Sequence, residues 1–301
     1  MKHLLKLSDL SGDEIIKLLD LADKLKSEKK NGADHSGLLK GKTLGMIFNK
    51  PSTRTRVSFE TGIYQLGGAA LFLNVGDIQL GRGESIKDSA RVLGRYLDCV
   101  MIRTYSQSDV EEFAEYGGIP VINGLTDYCH PCQVLADLMT VREYKKRLKG
   151  LKLCYIGDGN NMANSLIVGG IKTGMTISIA CPDGHAPDAE IVERAKTQGS
   201  LMLTNDIFKA ADGADVLCTD VWSSMGREAE AESRAHVFKN YQLNEKLMKL
   251  ANPDAMVLHC LPAHKGEEIS EETFEKHAAE IFDEAENRLH IQKAVMLECM
   301  A

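Results

Sequence analysis

Compact apolar runs of strand length alternate with helix-length amphipathic segments along nearly the whole chain, and this alternation narrows the fold more than any other feature. Thr43 to Phe48, Ala69 to Val75, Cys99 to Ile102 and Ile119 to Ile122 read as strands, separated by helical patterns over Thr53 to Leu66, Ser85 to Leu97 and Ser108 to Tyr116. The pattern resumes with strands at Leu151–Ile156, Met175–Ala180, Ser200–Leu203, Ala214–Cys218 and Ala255–Leu258, and two helices close the chain. Strands that alternate with helices in this way pair in parallel, because each crossover returns the chain to the same end of the sheet. A long helix pattern, Pro131 to Leu148, opens on a proline suited to a first turn and ends at Gly150. The sequence therefore predicts an α/β protein of two doubly wound domains with mostly parallel sheets, joined by helices and hinged near residues 130–150.

Charge removes several function classes. With 36 Lys+Arg against 43 Asp+Glu, the formal net charge is -7, so the chain has no general attraction for nucleic acid or an anionic membrane. An anionic substrate needs a local positive cluster that works against this overall field. No apolar stretch approaches the roughly 20 residues that cross a bilayer, and the start, Met1-Lys2-His3-Leu4, reads as folded protein rather than a targeting peptide. Cys99, Cys154 and Cys218 sit inside strand-like runs, which favours buried thiols in a reducing compartment and a cytoplasmic location. Cys129 and Cys132 form a single C-x-x-C interrupted by Pro131, and without a second pair this reads as two ordinary thiols rather than a zinc or redox motif.

The sharpest chemical signal is Asn49-Lys50-Pro51-Ser52-Thr53-Arg54-Thr55-Arg56, between a strand and a helix. The first amides of a helix lack intrahelical partners and attract anions. Ser52, Thr53 and Thr55 add hydroxyls, and Arg54 adds a planar fork matched to phosphate oxygens. Helical spacing sends Arg54 and Arg56 in different directions, so one of the two is free to hold a carboxylate such as Glu60. Arg103, at the end of its strand, and His130 with Gln133, at the mouth of the long helix, are expected on the same sheet edge. No Gly-x-x-x-x-Gly-Lys-Ser/Thr loop is present, which disfavours a kinase reading, and Gly157-Asp158-Gly159-Asn160-Asn161 lacks the spacing of a dinucleotide loop.

Ser52-Thr53-Arg54-Thr55-Arg56 together with His130-Pro131-Cys132-Gln133 resembles the carbamoyl phosphate signature of the aspartate and ornithine carbamoyltransferase family, and the resemblance extends over essentially the whole chain. It implies a carbamoyl phosphate domain at residues 1–133, completed by a C-terminal helix at 286–301, and an ornithine domain at 134–285. By the same resemblance Ser52, Thr53, Arg54 and Thr55 grip the phosphate, while Arg103, His130 and Thr55 address the carbonyl oxygen. Gln133 helps hold the carbamoyl amine, Arg288 completes the site, and Cys260 and Leu261 border it. Gln79 matches a position that reaches a neighbouring subunit's site, which implies a homotrimer or an assembly of trimers.

The chain also carries Asp220-Val221-Trp222-Ser223-Ser224-Met225-Gly226 and His259-Cys260-Leu261-Pro262, which resemble the ornithine-using branch. An amino acid with a side-chain amine needs a carboxylate for its ammonium and donors for its carboxylate. The resemblance assigns those roles to Asn161, Asp220, Ser224 and Met225, with Asp220 and Cys260 beside the reacting amine. The aspartate branch would need cations where this chain places an acid and a thiol. The implied reaction converts carbamoyl phosphate and L-ornithine to L-citrulline and phosphate, with no metal or organic cofactor. Two rivals remain at this stage: a transcarbamoylase for another amine such as putrescine, and a non-catalytic sensor of carbamoyl phosphate. The charge-rich stretch 227–234 reads either as a solvated connection or as a lid.

Overall fold

The computed structural model describes residues 1–198, 201–223 and 231–301. They form two compact units, one of residues 1–135 with 288–301 and the other of residues 136–287. The first unit begins with α1 (Gly12–Lys30), whose Ser11 accepts from the Glu14 amide while the Glu14 carboxylate accepts from the Ser11 amide. This reciprocal cap satisfies two amides that the helix start would otherwise leave to water. There follow β1 (Thr43–Phe48), α2 (Thr53–Gln65), β2 (Ala69–Asn74), α3 (Ile86–Leu93), β3 (Cys99–Arg103), α4 (Gln107–Tyr116) and β4 (Val121–Leu125). Helix α5 (Pro131–Lys145) contains the boundary between the units.

The second unit continues with β5 (Lys152–Ile156), α6 (Asn161–Lys172), β6 (Thr176–Ala180), α7 (Ala189–Thr197), β7 (Leu201–Thr204), α8 (Ile207–Ala211) and β8 (Val216–Thr219). After it come α9 (Ala231–Phe238), α10 (Glu245–Met248), β9 (Met256–His259), α11 (Glu271–Lys276) and α12 (Ala278–Met300), which contains the second crossing of the boundary. No helix among the described residues is long and apolar enough to cross a membrane.

Every strand pairing within the two sheets is parallel. The first sheet has the order β2-β1-β3-β4 and the second β7-β6-β5-β8-β9. In each, the chain winds outward one way and then the other, so neighbouring strands part company at one place: between β1 and β3, and between β5 and β8. Loops leaving the carboxyl ends of those strands run to opposite faces and leave a crevice, the usual ligand position in open parallel sheets. The two-domain expectation and its parallel sheets hold.

Several elements are shorter than the periodicity suggests. The helix expected over Ser85 to Leu97 stops at Leu93, and Gly94 follows because its α-carbon lies against the Gly117 carbonyl, where a Cβ would sit 1.8 Å from the oxygen. Helix α10 spans only Glu245–Met248, and just before it Leu243 forms a backbone bridge to Ile269. Helix α9 was not expected at all. It occupies part of the stretch that reads either as a solvated connection or as a lid, and its Arg234 is 6% exposed.

Candidate active site

The first crevice is built by the ends of β1 and β3. Phe48 pairs with Arg103 in the sheet, and the Asn49 amide donates to the Arg103 carbonyl at 2.8 Å. The chain then turns through Pro51 and starts α2 with Ser52 as its cap, extended at φ -165°, its hydroxyl accepting from the Thr55 amide. Such a cap is worth about 1 kcal/mol. The first intrahelical bond is made by the Arg56 amide to the Ser52 carbonyl, so the Thr53 and Arg54 amides come before the helical ladder begins. Lys50 fixes the approach: it is buried, ion-paired with Asp127 and seated 4.2 Å from the Tyr105 ring centroid.

The two arginines of the motif separate as helical spacing requires. Arg56 holds Glu60 at 3.0 Å and lies 3.8 Å from the Phe72 ring centroid. Arg54 is half-buried, and no hydrogen bond or ion pair of its side chain occurs among the described residues. Arg288 brings the far end of the sequence to the same place: it donates to Gln133 Oε1 at 2.5 Å and to Thr55 Oγ1 at 3.3 Å, and Ser52 also donates to Thr55 Oγ1 at 3.1 Å. Arg103, His130, Gln133 and Arg288 are all buried.

His130 carries the electrostatic signature of this cluster. Burial pushes its pKa well below the ordinary 6.5, and the Arg288 and Arg103 guanidiniums push it further the same way. Both arginines thus bear on one imidazole, which stays neutral at physiological pH and keeps a hydrogen available to donate to an oxygen without adding charge. Gln79 stands apart from this group; it is exposed, on a short helical turn, Gln79–Arg82.

The second crevice is built by the ends of β5, β8 and β9. After β5 the chain passes through Gly157, at φ +149°, and Gly159, where a Cβ would lie 2.3 Å from the Pro187 nitrogen. Glycine is needed at both, for conformation at the first and for closeness of the 185–187 backbone at the second. Asn160 then caps α6, its oxygen accepting from the Met162 amide at 2.9 Å and its amide donating to Asp220 Oδ2 at 3.1 Å. Asp220 Oδ1 accepts from the Val221 amide at 2.8 Å and from the Cys260 thiol at 3.1 Å. Burial, then Asp220 and Glu284, raise the Cys260 pKa well above 9, so the thiol is protonated and acts as a donor.

Asn161, Asp220, Cys260 and Leu261 therefore occupy adjoining turns of one sheet edge. Ser224 and Met225 lie outside the described residues. Sequence reasoning passed over three groups here. Asn160 links the first turn to Asp220, and its position just before a helix was the available signal. Arg234 bonds the Trp222 carbonyl at 2.5 Å and pairs with Asp158, while His185 faces the same carboxylate at 3.4 Å. Removing one partner of such a buried pair typically costs about 3–5 kcal/mol. The third is the His259–Glu268 pair, 3.0 Å apart and fully buried.

Comparison with known proteins finds a family match for each half of the chain. Residues 2–143 match the family described as aspartate/ornithine carbamoyltransferase, carbamoyl-P binding domain, and residues 149–299 match its Asp/Orn binding domain. The chain is 54% identical to an ornithine carbamoyltransferase of Oceanobacillus iheyensis, over 100% of this chain and 94% of that protein. The solved ornithine carbamoyltransferase of Pyrococcus furiosus superposes with a TM-score of 0.94 at 50% identity, covering 99% of this chain and 97% of that one. An anabolic ornithine carbamoyltransferase from Campylobacter jejuni superposes with a TM-score of 0.93 at 45% identity, covering 99% of each chain.

The neutral His130 has a measurable consequence. Its folded pKa is lower than its unfolded one, so between the two values the unfolded chain binds a proton that the folded chain refuses. Stability contributed by this residue is therefore intact above pH 6.5 and falls as pH drops below it. Urea unfolding at about pH 7.5 and about pH 5.5 should show a smaller acid loss in His130→Asn than in the unmodified protein. Equal losses in the two proteins would mean that His130 is not held neutral.

Proposed function

The chain belongs to the aspartate/ornithine carbamoyltransferase family, and we propose that its two crevices divide the work of ornithine carbamoyl transfer, one holding carbamoyl phosphate and the other L-ornithine. The reaction is that of an ornithine carbamoyltransferase: carbamoyl phosphate and L-ornithine give L-citrulline and phosphate. The observation that carries the proposed division is the convergence of Arg103 and Arg288 on a neutral His130 beside the capped start of α2.

In this reading the Thr53 and Arg54 amides, the hydroxyls of Ser52, Thr53 and Thr55, and the Arg54 and Arg288 guanidiniums receive the phosphate. Arg103, His130 and Thr55 donate to the carbonyl oxygen, and Gln133 accepts from the carbamoyl nitrogen. As the amine attacks, charge accumulates first on that oxygen and then on the departing phosphate. Donors fixed in advance hold the transition state more tightly than the substrate, and loss of one such donor costs about 3–4 kcal/mol in measured cases. A neutral His130 suits this role because it can donate to the oxygen without carrying a charge of its own.

Ornithine is read by Asn161, Asp220, Ser224 and Met225. Its side-chain amine has a reference pKa of about 10.4, so it must lose a proton before attacking. Cys260 is unsuited to take that proton, because its own thiol hydrogen is held and already donated to Asp220. Asp220 is the acceptor that this arrangement favours. Putrescine carries no carboxylate and makes no use of the donors assigned to Ser224 and Met225. A sensor without turnover has no use for the Asp220–Cys260 pair.

The assembly is proposed to be a homotrimer or an assembly of trimers. Support comes from one side of the first unit, where edge strand β2 and helix α2 leave Leu71, Phe72, Val57 and Tyr64 exposed by 48%, 39%, 53% and 79%. An exposed apolar sheet edge of this kind invites a partner. The Gln79 turn comes after β2, past a first short turn at Val75–Asp77, and is assigned to a neighbour's site. A cytoplasmic location is proposed from eight free thiols, seven of them buried.

Purified protein given carbamoyl phosphate and L-ornithine should form citrulline and phosphate in equal amounts. Arg54→Ala should stay folded while kcat/KM falls by at least about 100-fold, the scale of a lost charged hydrogen bond. Citrulline formation at the normal rate in Arg54→Ala would remove this residue from the site. Sedimentation equilibrium should give three chains or a multiple of three, shifting toward single chains in Phe72→Glu; a monomer in the unmodified protein would sink the assembly.

A further inference from the structure

The turn that follows β9 carries Cys260 and Leu261, and it is held by a device that the catalytic reading does not use. Leu261 has φ +57°, a left-handed conformation that is costly for a leucine and persists only where its surroundings impose it. Its amide donates to His259 Nδ1 at 3.0 Å. The other ring nitrogen, Nε2, faces Glu268 Oε1 at 3.0 Å, and the His264 amide donates to that same oxygen at 2.6 Å. His259 is 1% exposed and Glu268 is 0% exposed, and the His259 amide is itself taken by Glu284 Oε2 at 2.8 Å.

The hydrogen-bond pattern admits one tautomer. Nδ1 receives an N–H and so carries no proton, which leaves the proton on Nε2, pointing at a carboxylate that can only accept. One imidazole and one carboxylate thereby fix the turn at two places, Leu261 and His264. Cys260 lies between the ring and its first anchor, and its thiol meets Asp220 at 3.1 Å.

We propose that His259, locked as the neutral Nε2–H tautomer by Glu268, is a positioning residue that sets Cys260 and Leu261 for carbamoyl transfer by holding the Leu261 amide. This rests on the reading that places Cys260 and Leu261 beside the substrates. A histidine kept only to satisfy a buried carboxylate would need its Nε2 contact alone; the Nδ1 contact to a left-handed leucine is what adds the positioning role. Displacing a reacting group by an ångström can cost about 100-fold in rate, so the anchor matters to turnover more than to folding.

Two variants separate the two ring nitrogens. Asparagine places an oxygen near the position of Nδ1 and keeps the acceptor for Leu261, while glutamine reaches Glu268 with a donor and supplies no acceptor at the Nδ1 position. In His259→Gln, kcat should fall about 100-fold, and His259→Asn should recover to within about 10-fold of the unmodified enzyme, both with normal circular dichroism. Equal losses in the two variants, or a normal kcat in His259→Gln, overturn the inference. Cys260→Ser is measured alongside. Normal turnover there removes the site reading and this inference with it, whereas a crippled Cys260→Ser beside a normal His259→Gln overturns the inference alone. Nitrogen NMR of histidine-labelled protein reads the tautomer without any substitution: an unprotonated Nδ1 is expected, and a protonated Nδ1 overturns the lock even if neither variant folds.

Discussion

Backbone groups at the carboxyl ends of parallel strands have nowhere to go where the strand order reverses, and both halves of this protein are organised by that constraint. Between β1 and β3 the unspent groups are amides at the start of α2; between β5 and β8 they are the turns capped by Asn160 and Asp220. The first arrangement presents donors and the second is rich in acceptors. This difference suits an anion on one side and an ammonium group on the other, and in the second crevice it is the Asp220 carboxylate that supplies it.

Side chains then sharpen the contrast. In the first unit, burial and then the Arg288 and Arg103 guanidiniums suppress the charge of His130, which leaves positive charge on the guanidiniums and the imidazole as a neutral donor. In the second unit, Asp158 is matched by Arg234, whereas Asp220 meets only neutral donors, from Asn160, Val221 and Cys260, in the contacts described above. Asp220 is thus a carboxylate held in place by neutral partners, a suitable seat for a cation that arrives with the substrate. Burial, and then the same acid, raises the Cys260 pKa, so the thiol that resemblance places beside the reacting amine is a hydrogen-bond donor.

Local features were legible from the residues alone because their causes are local. The helix start after Pro51-Ser52, the divergence of Arg54 and Arg56, and the strand–helix alternation all follow from spacing over a few positions. Pairings across long stretches of chain were not. Arg234 looked solvated because its neighbours are charged and its partner, Asp158, lies 76 residues away. The contact of Arg288 with Thr55 spans 233 residues, and resemblance rather than spacing brought Arg288 to the site. His259 was visible as part of a motif, but nothing near it marked Glu268 as its partner, since adjoining Glu267 is equally acidic and exposed.

The central claim is that anion recognition belongs to the first unit and amine recognition to the second, and calorimetric titration of a non-hydrolysable phosphonate analogue of carbamoyl phosphate tests it most directly. In Arg288→Gln the affinity should fall by at least about 10-fold, the scale of one charge-assisted hydrogen bond, while Asp220→Asn should bind the analogue as the unmodified protein does yet form no citrulline. Undiminished affinity in Arg288→Gln, or an equal loss in Asp220→Asn, would contradict the account.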